Sequence, residues 1–296
     1  MDIKNVKDYL AGHAVVEIKV GKSGADVYDI DGKYILKHVL REKLEDSLFN
    51  AYLREAYFYQ SDGENKKIYR PKILQVNISE DEVVLLMKKY DQIERSELND
   101  ELLQKIMAVL ARVHTDWIPD FLRQEKEKAQ LLTASRIREC LDGWKSVLAE
   151  HPKAFDIRPL YKLADRINDI ILWHDGEKRV LSHGDFHWDN LLMDENGEIV
   201  ICDWQGVGEG TAAGDLSFFI SRLSADGVQI DERKLLDYYT VSVYTLSGKQ
   251  VSQEELSAHM VASNTITSFL FWHEYLHGSS EERVREIYGH MVSLFL

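Results

Sequence analysis

The sequence predicts an α+β protein folded into two lobes, and two observations lead to that prediction. The chain has 296 residues, which exceeds the usual size of a single hydrophobic core. Five strand-like patterns come before residue 89, and amphipathic helical patterns dominate after it. We therefore expect an N-terminal lobe over residues 1–88, a C-terminal lobe over residues 89–296 and a cleft between them.

The predicted N-terminal lobe contains five short strands and one helix. The strands are apolar or alternating runs bounded by turn residues, over 14–20, 25–30, 34–39, 73–78 and 83–87. A helix is predicted over residues 42–60, where apolar side chains recur at helical spacing. The sheet ends at residues 88–92, which are the natural hinge between the lobes.

The predicted C-terminal lobe is mainly helical. Helical patterns cover residues 100–117, two stretches within 133–174 and about four within 215–295. His114 lies on the apolar stripe of the first helix, and no His or Cys stands at metal-binding spacing around it. We expect His114 to be a hydrogen-bonded core residue.

Two apolar runs in the second half of the chain each lead into a carboxylate. Residues 180–181 lead to Asp185, and residues 199–202 lead to Asp203. A turn signal at residues 195–197 lies between the two runs. We predict that the runs pair as a hairpin, so that the two acids face each other.

The residue types around these acids indicate phosphoryl transfer. A hydroxyl nucleophile needs a carboxylate that orients it and accepts its proton, and Asp185 fits this role. Mg²⁺ prefers hard oxygen ligands, which Asp203 and Asn190, five residues past Asp185, can supply.

A glycine-containing loop separates the first two predicted strands, at Gly21-Lys22-Ser23-Gly24. Its glycines would let backbone N–H groups approach a phosphate, although an ordinary glycine hairpin is an equal alternative. The loop is not a Walker A motif, because Val16 stands where that motif needs glycine and a strand follows instead of a helix.

Lys37 and Glu55 both lie on apolar faces of their predicted elements. Lys37 shares a strand face with Ile35 and Val39, and Glu55 falls on the apolar stripe of the helix over 42–60. Because an unpaired buried charge costs several kcal/mol, we expect the two side chains to pair. The alternative is that Lys37 merely extends along apolar surface towards water.

Taken together, these features resemble the aminoglycoside phosphotransferase and choline kinase family, which has the protein-kinase-like fold. The matching elements follow the family's order along nearly the whole chain: Gly21 to Tyr28, Lys37, Glu55, the helix with His114, His183-Gly184-Asp185 to Asn190, Asp203 and Gly214-Asp215. The resemblance implies a small lobe of five antiparallel strands with one helix, above a larger helical lobe, with ATP or GTP between them.

The resemblance also implies a role for each matching residue. Asp185 would be the catalytic base, while Asn190 and Asp203 would hold Mg²⁺. Lys37 would contact the α- and β-phosphates and be positioned by Glu55.

Three further roles follow from the same resemblance. The loop with Ser23 and Gly24 would cover the triphosphate. The nucleotide base would meet the hinge backbone near Lys88 and Tyr90. Asp215 would brace the catalytic loop through its backbone.

The departures from the protein-kinase pattern indicate a small-molecule acceptor. Trp204-Gln205 replaces the Phe-Gly that follows the metal-binding acid, no Ala-Pro-Glu element follows, and the span to Asp215 is too short for an activation loop. We therefore expect a small-molecule hydroxyl as substrate, on an amino alcohol, an aminoglycoside or a sugar, and no protein substrate. Four residues are candidates for the acceptor pocket, although their sequence pattern does not distinguish them from core residues: Trp204, Trp272, Glu274 and Tyr275.

Composition restricts the partners and the environment of the chain. A formal net charge of −14 argues against nucleic-acid binding and is compatible with a cationic acceptor. No signal peptide and no run of about 18 apolar residues is present, so we expect a cytoplasmic protein without a membrane partner. Cys140 and Cys202 form no disulfide or metal-binding pattern, and both are expected to be reduced and buried.

Two alternative functions remain at this point. One is a catalytically inactive pseudokinase that binds nucleotide, against which stands the presence of all the expected catalytic groups. The other is a two-metal phosphoesterase, suggested by the alternation of Asp185, His187 and Asp189, although such a site needs further His and Asp clusters for its second ion.

Overall fold

A five-stranded antiparallel sheet forms the N-terminal part of the chain in the computed structural model. The structure describes residues 3, 5–18, 24–61, 69–123, 131–152 and 154–295. The strands of this sheet stand in the order β1-β2-β3-β5-β4. Their bounds are Val15–Glu17 (β1), Asp26–Ile30 (β2), Tyr34–Leu40 (β3), Ile73–Ile78 (β4) and Glu82–Lys88 (β5).

The helix that packs on this sheet is α2, Asp46–Gln60. It begins later than residue 42, because Arg41–Lys43 forms a separate 3₁₀ turn before it. A short helix that the sequence patterns had not indicated, α1 over Val6–Ala11, precedes the sheet and is capped by the side chain of Asn5. Five antiparallel strands with a packed helix agree with the prediction for this part.

Helices make up most of the remaining chain. Their bounds are Asp100–Thr115 (α3), Ala134–Ala149 (α4), Arg158–Asp175 (α5), Ala212–Ala225 (α6), Glu232–Ser247 (α7), Gln253–Thr267 (α8), His273–Tyr275 (α9) and Glu281–Met291 (α10). A π-helical turn over Ser268–Trp272 joins α8 to α9. The predicted α+β class, with a sheet first and helices after it, is confirmed.

Five short strands lie among these helices, and their pairing corrects one prediction. They are β6 (Asp91–Gln92), β7 (Arg179–Ser182), β8 (Leu191–Met193), β9 (Ile199–Ile201) and β10 (Gly208–Thr211). The strand before Asp185, β7, pairs with β10, whereas the strand before Asp203, β9, pairs with β8 and not with β7. The predicted hairpin between the runs at 180–181 and 199–202 is therefore wrong.

The observed hairpin brings different residues together. Its arms are β8 and β9, and the Asp194 side chain accepts hydrogen bonds from the turn N–H groups of Asn196 and Glu198 at 2.8 and 2.9 Å. Asn190 directly precedes one arm, and Asp203 follows the other by one residue. The Cys202 N–H donates to the Asn190 carbonyl at 2.9 Å. The hairpin thus brings Asn190 together with Asp203, and it does not pair the strand before Asp185 with the strand before Asp203.

The main hydrophobic core runs through both lobes. Trp204 is fully buried, and its ring lies 4.8 Å from that of Phe58 in α2 and 5.8 Å from that of Tyr69. The Ile201 N–H also donates to the Tyr69 carbonyl at 2.8 Å. These contacts hold α2 against the strand that leads to Asp203. Within the described ranges, no helix combines the length and apolar character that a bilayer span requires.

Candidate active site

Lys37 connects the sheet to two predicted site residues, Glu55 and Asp203. Its Nζ donates to Glu55 Oε2 and to Asp203 Oδ1, each at 2.9 Å. Lys37 is 9% exposed and Glu55 1% exposed, so both charges are buried. The expected pairing of Lys37 with Glu55 is confirmed, and Asp203 joins it as a third member.

Lys37 stabilises the two carboxylates of this triad and is stabilised by them, whereas burial and the neighbouring Asp203 raise the pKa of Glu55 above its usual value. Burial alone would lower the pKa of Lys37, but Glu55 and Asp203 raise it above its usual value. Burial would likewise raise the pKa of Asp203, yet Lys37 and the Gln205 amide lower it below the usual value. Lys37 is therefore cationic and Asp203 anionic at neutral pH, as phosphate and metal binding require.

The loop after β9 gives Asp203 an uncommon backbone conformation. Asp203 has φ +61°, in the left-handed region that few residues other than glycine adopt. The Glu55 Oε1 accepts from the Trp204 N–H at 3.2 Å, and Gln205 Nε2 donates to Asp203 Oδ1 at 2.6 Å. Both bonds fix the carboxylate next to Lys37. Sequence patterns assigned no role to Gln205, which stood out only in the Trp204-Gln205 pair that departs from the protein-kinase pattern.

Asp215, the first acid of α6, fixes the loop that leads to Asp185. Its carboxylate accepts from the backbone N–H of His183 at 2.9 Å and of Gly184 at 3.0 Å. It also accepts from the Ser182 hydroxyl at 3.0 Å and lies 3.0 Å from His114 Nε2. Asp215 is 2% exposed. Asp215 therefore braces this loop through backbone N–H groups, as the resemblance implied.

His114 is a hydrogen-bonded core residue, as predicted. It is 5% exposed, and its second ring nitrogen, Nδ1, lies 2.8 Å from the Tyr239 hydroxyl. Because both ring nitrogens have partners, His114 acts through Asp215 and has no free nitrogen for a ligand.

The loops that carry Asp185 and Asp203 cross at two glycines. Gly184 has φ +77°, and a Cβ at this position would lie 2.2 Å from the Gly206 carbonyl oxygen. A Cβ on Gly206 would lie 2.9 Å from the His183 carbonyl oxygen. In addition, His183 Nε2 lies 3.0 Å from the Cys202 carbonyl. The two acids therefore belong to loops in direct backbone contact.

Asn190 is oriented by the loop that contains Asp185. Its Nδ2 donates to the Asp185 carbonyl at 2.9 Å and lies 3.1 Å from His187 Nε2. The Asp185 carboxylate is close by, with Oδ2 at 3.4 Å from Asn190 Nδ2 and 3.5 Å from His187 Nε2. The Asp185 side chain is 45% exposed, so it can reach a substrate.

The remaining oxygens of Asn190 and Asp203 suit a hard cation. Asn190 uses Nδ2 for its hydrogen bonds, and Asp203 uses Oδ1. Asn190 Oδ1 and Asp203 Oδ2 receive no hydrogen bond from any described residue. Amide and carboxylate oxygens are the ligands that Mg²⁺ takes in nucleotide sites, so this donor set fits the expected ion.

The other predicted nucleotide contacts are placed only in part. Ser23 lies outside the described residues. Gly24 has φ +71°, and a Cβ there would meet Leu44 Cδ2 at 2.4 Å. At the hinge, the Lys88 side chain is ion-paired with Glu195, and its backbone N–H donates to the Lys72 carbonyl. The Tyr90 hydroxyl accepts from the Lys72 N–H at 3.0 Å.

A cavity of about 770 Å³ opens beside the loop that precedes Asp185. Gly184 lines one part of it, and Phe271, Trp272 and Tyr275 from the π-helical turn and α9 line another. Of the four acceptor-pocket candidates, Trp272 and Tyr275 line this cavity. Trp204 instead belongs to the core, and Glu274 is not part of the lining.

Comparison with known proteins identifies the family. A family model described as the phosphotransferase enzyme family (APH) matches residues 17–244. The chain belongs to this family. The matched span contains every site residue from Gly24 to Asp215. No curated protein matches the chain.

Solved structures of other phosphotransferases share the fold at low sequence identity. The ADP-bound aminoglycoside phosphotransferase APH(2'')-Ib has 17% identity and a TM-score of 0.57, with 98% of each chain covered. Choline kinase from Cryptosporidium parvum has 14% identity and a TM-score of 0.59. The match covers 96% of the present chain and 90% of the choline kinase chain. Ethanolamine kinase from Plasmodium vivax has 11% identity and a TM-score of 0.57, covering 99% and 84%. The resemblance to aminoglycoside phosphotransferases and choline kinases is confirmed.

Proposed function

We propose that the chain is an active kinase that transfers the γ-phosphate of ATP to a hydroxyl of a small molecule. The observation that carries this proposal is the connected set of Lys37, Glu55 and Asp203, whose loop contacts the loop of Asp185. An inactive nucleotide-binding protein needs no such complete set of positioned charges, so the geometry favours catalysis.

Each charged group has a place in this proposal. Asp185 accepts the proton of the acceptor hydroxyl, and Lys37 binds the α- and β-phosphates while Glu55 positions it. Asn190 and Asp203 hold Mg²⁺, which when bound neutralises charge on the phosphates.

In this proposal the nucleotide binds between the two lobes. Ser23 and Gly24 cover the triphosphate, and the base binds at the hinge near Lys88 and Tyr90. We place the lobe boundary after Lys88, because β5 ends there and Asp91–Gln92 already pairs with β8 in the helical part. GTP is an alternative nucleotide.

The cavity beside Gly184 is the proposed acceptor pocket. Its aromatic side chains can cover apolar or planar parts of an acceptor. Ser221 and Asn264 supply hydrogen-bonding groups in the same lining, and they bond to each other at 3.0 Å. The hydroxyl to be phosphorylated would enter past Gly184 towards Asp185.

The charges of this lining favour an acceptor with an anionic or neutral polar group. Arg222 is exposed in the lining, and its side chain has no hydrogen bond or ion pair with another described residue. Asp215 is the one acidic residue among the described lining residues, and both of its oxygens are already engaged. The expectation of a cationic acceptor rested on net charge, which does not show where the charges lie.

Replacement of the proposed base tests the activity. Asp185→Asn should lower phosphoryl transfer by at least about 100-fold, the usual effect of losing a general base, while binding of Mg-ATP by calorimetry stays within about twofold. Asp189→Asn is the matched control in the same loop, because Asp189 is exposed and paired with Arg95. Near-normal turnover of Asp185→Asn would reject Asp185 as the base.

A screen of ADP release identifies the acceptor class. The panel contains glycerate and homoserine, the amino alcohols choline and ethanolamine, neutral sugars and an aminoglycoside. We expect turnover with a hydroxy acid, and Arg222→Gln should raise its KM at least tenfold, whereas Arg233→Gln on the exposed face of α7 should not. Turnover with choline alone would refute the argument from the charges of the lining, but it would still support the proposed kinase activity. Mg-ATP binding without transfer to any of these alcohols would instead favour a pseudokinase.

A further inference from the structure

Three side chains that can ligate a metal meet between α5 and α8, apart from the proposed nucleotide site. His174 lies in the last turn of α5, Glu177 follows two residues after that helix, and His259 lies in α8. One potential ligand atom from each residue falls within 4.8 Å of the other two. Among the residues that the structure describes, this is the one group of three or more such side chains that meets that distance.

The distances between these atoms suit a single small cation. His174 Nδ1 lies 3.4 Å from His259 Nδ1 and 3.8 Å from Glu177 Oε2. Two ligands about 2.05 Å from a tetrahedral zinc ion are about 3.3 Å apart. The two imidazoles are therefore already at the separation of a ligand pair, and the carboxylate needs a movement of about half an ångström.

The Glu177 carboxylate lacks a partner on the side that faces the histidines. Its side chain is 10% exposed, and Oε2 is buried without any hydrogen bond within the described part of the chain. The carboxylate is otherwise bound by the Ala213 N–H, at 3.0 Å from Oε1, and interacts with the Ala212 N–H and the Thr211 hydroxyl, which fixes the direction of the group. A buried carboxylate oxygen without a donor is costly, and a cation between the three residues would remove that cost.

Hydrogen bonds among the three residues would not satisfy Glu177 Oε2 without a metal ion. A single proton between the two Nδ1 atoms could satisfy the histidine pair, but it would leave Glu177 Oε2 without a donor. The 3.8 Å separation from His174 is also too long for a hydrogen bond. His259 is held in place by Trp173, whose ring stacks on it at 4.1 Å and 11°.

A metal ion could reach this place from solvent. Glu177 and His259 line a second cavity, of about 540 Å³, while His174 lines the proposed acceptor pocket. The three residues thus lie between two cavities, and a fourth coordination position could be filled by water.

We propose that His174, Glu177 and His259 form a binding site for one Zn²⁺ ion. Two imidazoles and one carboxylate are a common donor set for zinc, whereas Mg²⁺ prefers oxygen ligands alone. The ion would tie the end of α5 to α8, next to the start of β7. This proposal does not depend on the kinase activity: His174 lines the proposed acceptor pocket, but none of the three residues is assigned a catalytic or nucleotide-binding role.

Metal content and affinity of the full-length protein test the site. The protein is stripped with a chelator, dialysed, and titrated with ZnCl₂ in a calorimeter and with Co²⁺ in an absorption spectrometer. We expect one Zn²⁺ per chain, a Co²⁺ spectrum with d–d bands of a four- or five-coordinate site, and a higher unfolding temperature with Zn²⁺. Failure of the wild-type protein to bind one Zn²⁺ per chain would overturn the proposal.

Variants assign the binding to these residues. His259→Gln and Glu177→Gln should each weaken Zn²⁺ binding at least tenfold and remove the Co²⁺ bands, and circular dichroism checks that each is folded. His277→Gln is the matched control, since His277 is an exposed histidine paired with Glu150. Equal Zn²⁺ affinity in the folded His259→Gln and His277→Gln proteins would place the ion elsewhere and refute the site. If one of the two ligand variants does not fold, the other decides.

Discussion

The Glu55 carboxylate accepts a hydrogen bond from the backbone N–H of Trp204 at 3.2 Å. Its other oxygen accepts from Lys37 Nζ at 2.9 Å. One side chain of α2 therefore holds the sheet lysine and the loop that carries Asp203 at the same time. Any displacement of α2 would separate Lys37 from Glu55 or release the Asp203 loop, so the position of this helix and the assembly of the site are coupled.

Glu55→Gln should reduce catalysis more than it reduces stability. The amide can still accept from the Trp204 N–H, but it loses the charge that positions Lys37. A hydrogen bond to a charged group contributes about 1.5–3 kcal/mol, which corresponds to about 10- to 150-fold in kcat. Steady-state kinetics measure this loss. Glu45→Gln, at the exposed start of α2 where no side-chain cap is formed, should leave kcat unchanged.

Asp215→Asn should destabilise the fold in a pH-dependent way. Burial would raise the pKa of Asp215, but His114 and the backbone donors lower it below the usual value of an aspartate. A depressed carboxyl pKa stabilises the folded state above the unfolded pKa, and this contribution is lost as the pH falls through the folded pKa. An asparagine would place an NH₂ group against a backbone N–H and should cost about 3 kcal/mol or more at pH 7.

Urea unfolding at several pH values between 7 and 3 checks this expectation. The difference between wild type and Asp215→Asn should be largest above about pH 4 and should shrink below it. Asp142→Asn removes an exposed ion pair with Lys145 and should change stability by less than about 0.5 kcal/mol. A difference for Asp215→Asn that stays constant down to pH 3 would contradict the assigned ionised state.

Gly184→Ala should lower turnover at least tenfold, whereas Gly197→Ala should leave it unchanged. The two glycines have nearly the same backbone conformation, with φ +77° and +76°. A Cβ on Gly184 would meet the Gly206 carbonyl at 2.2 Å, but a Cβ on Gly197 has nothing within 4 Å. Gly197→Ala therefore reports only the left-handed strain, about 1–2 kcal/mol.

The comparison of these two variants isolates the contact between the crossing loops. Chemical unfolding should show a clearly larger loss for Gly184→Ala, and turnover should fall at least tenfold in that variant alone. Equal losses of stability and activity in both proteins would show that the close approach of Gly184 to Gly206 has no role of its own.

Cys202 should resist alkylation in the folded protein. Burial, with the Asp203 carboxylate next to it, raises the pKa of this thiol to about 12, so its reactive thiolate is scarce at pH 8. Mass spectrometry after brief iodoacetamide treatment should find Cys202 unmodified in native protein and fully modified in urea. Rapid native labelling of Cys202 would contradict its environment. Both cysteines are free thiols, but the expected burial is confirmed only for Cys140, because Cys202 is partly exposed as a residue.

Sequence patterns located the sheet, α2 and the Lys37–Glu55 pair because these depend on local periodicity. The pairing of β7 was not predictable in the same way, since its partner β10 reads Gly208-Glu209-Gly210-Thr211, which lacks the β-branched and aromatic residues of a typical strand. The predicted hairpin failed for this reason.

Contacts between distant segments explain the other omissions. The approach of Gly206 to Gly184 depends on how two loops cross, and nothing in their local sequence announces it. Arg222 follows an apolar run on α6, a position that is also usual for a solvent-facing arginine. Its place in the cavity lining is a result of the tertiary fold. Among the metal-ligating residues, His174 and Glu177 have a close spacing, but His259 is remote in sequence.

The π-helical turn at Ser268–Trp272 forms a wall of the proposed acceptor pocket at a distance in sequence from the loops of Asp185 and Asp203. Its extra residue per turn rotates Phe271 and Trp272 relative to α8, so that both line the cavity. This wall shares no backbone with the loops of Asp185 and Asp203. Changes of selectivity could therefore accumulate here during divergence, or be introduced by design, while the phosphate-transfer machinery is inherited unaltered.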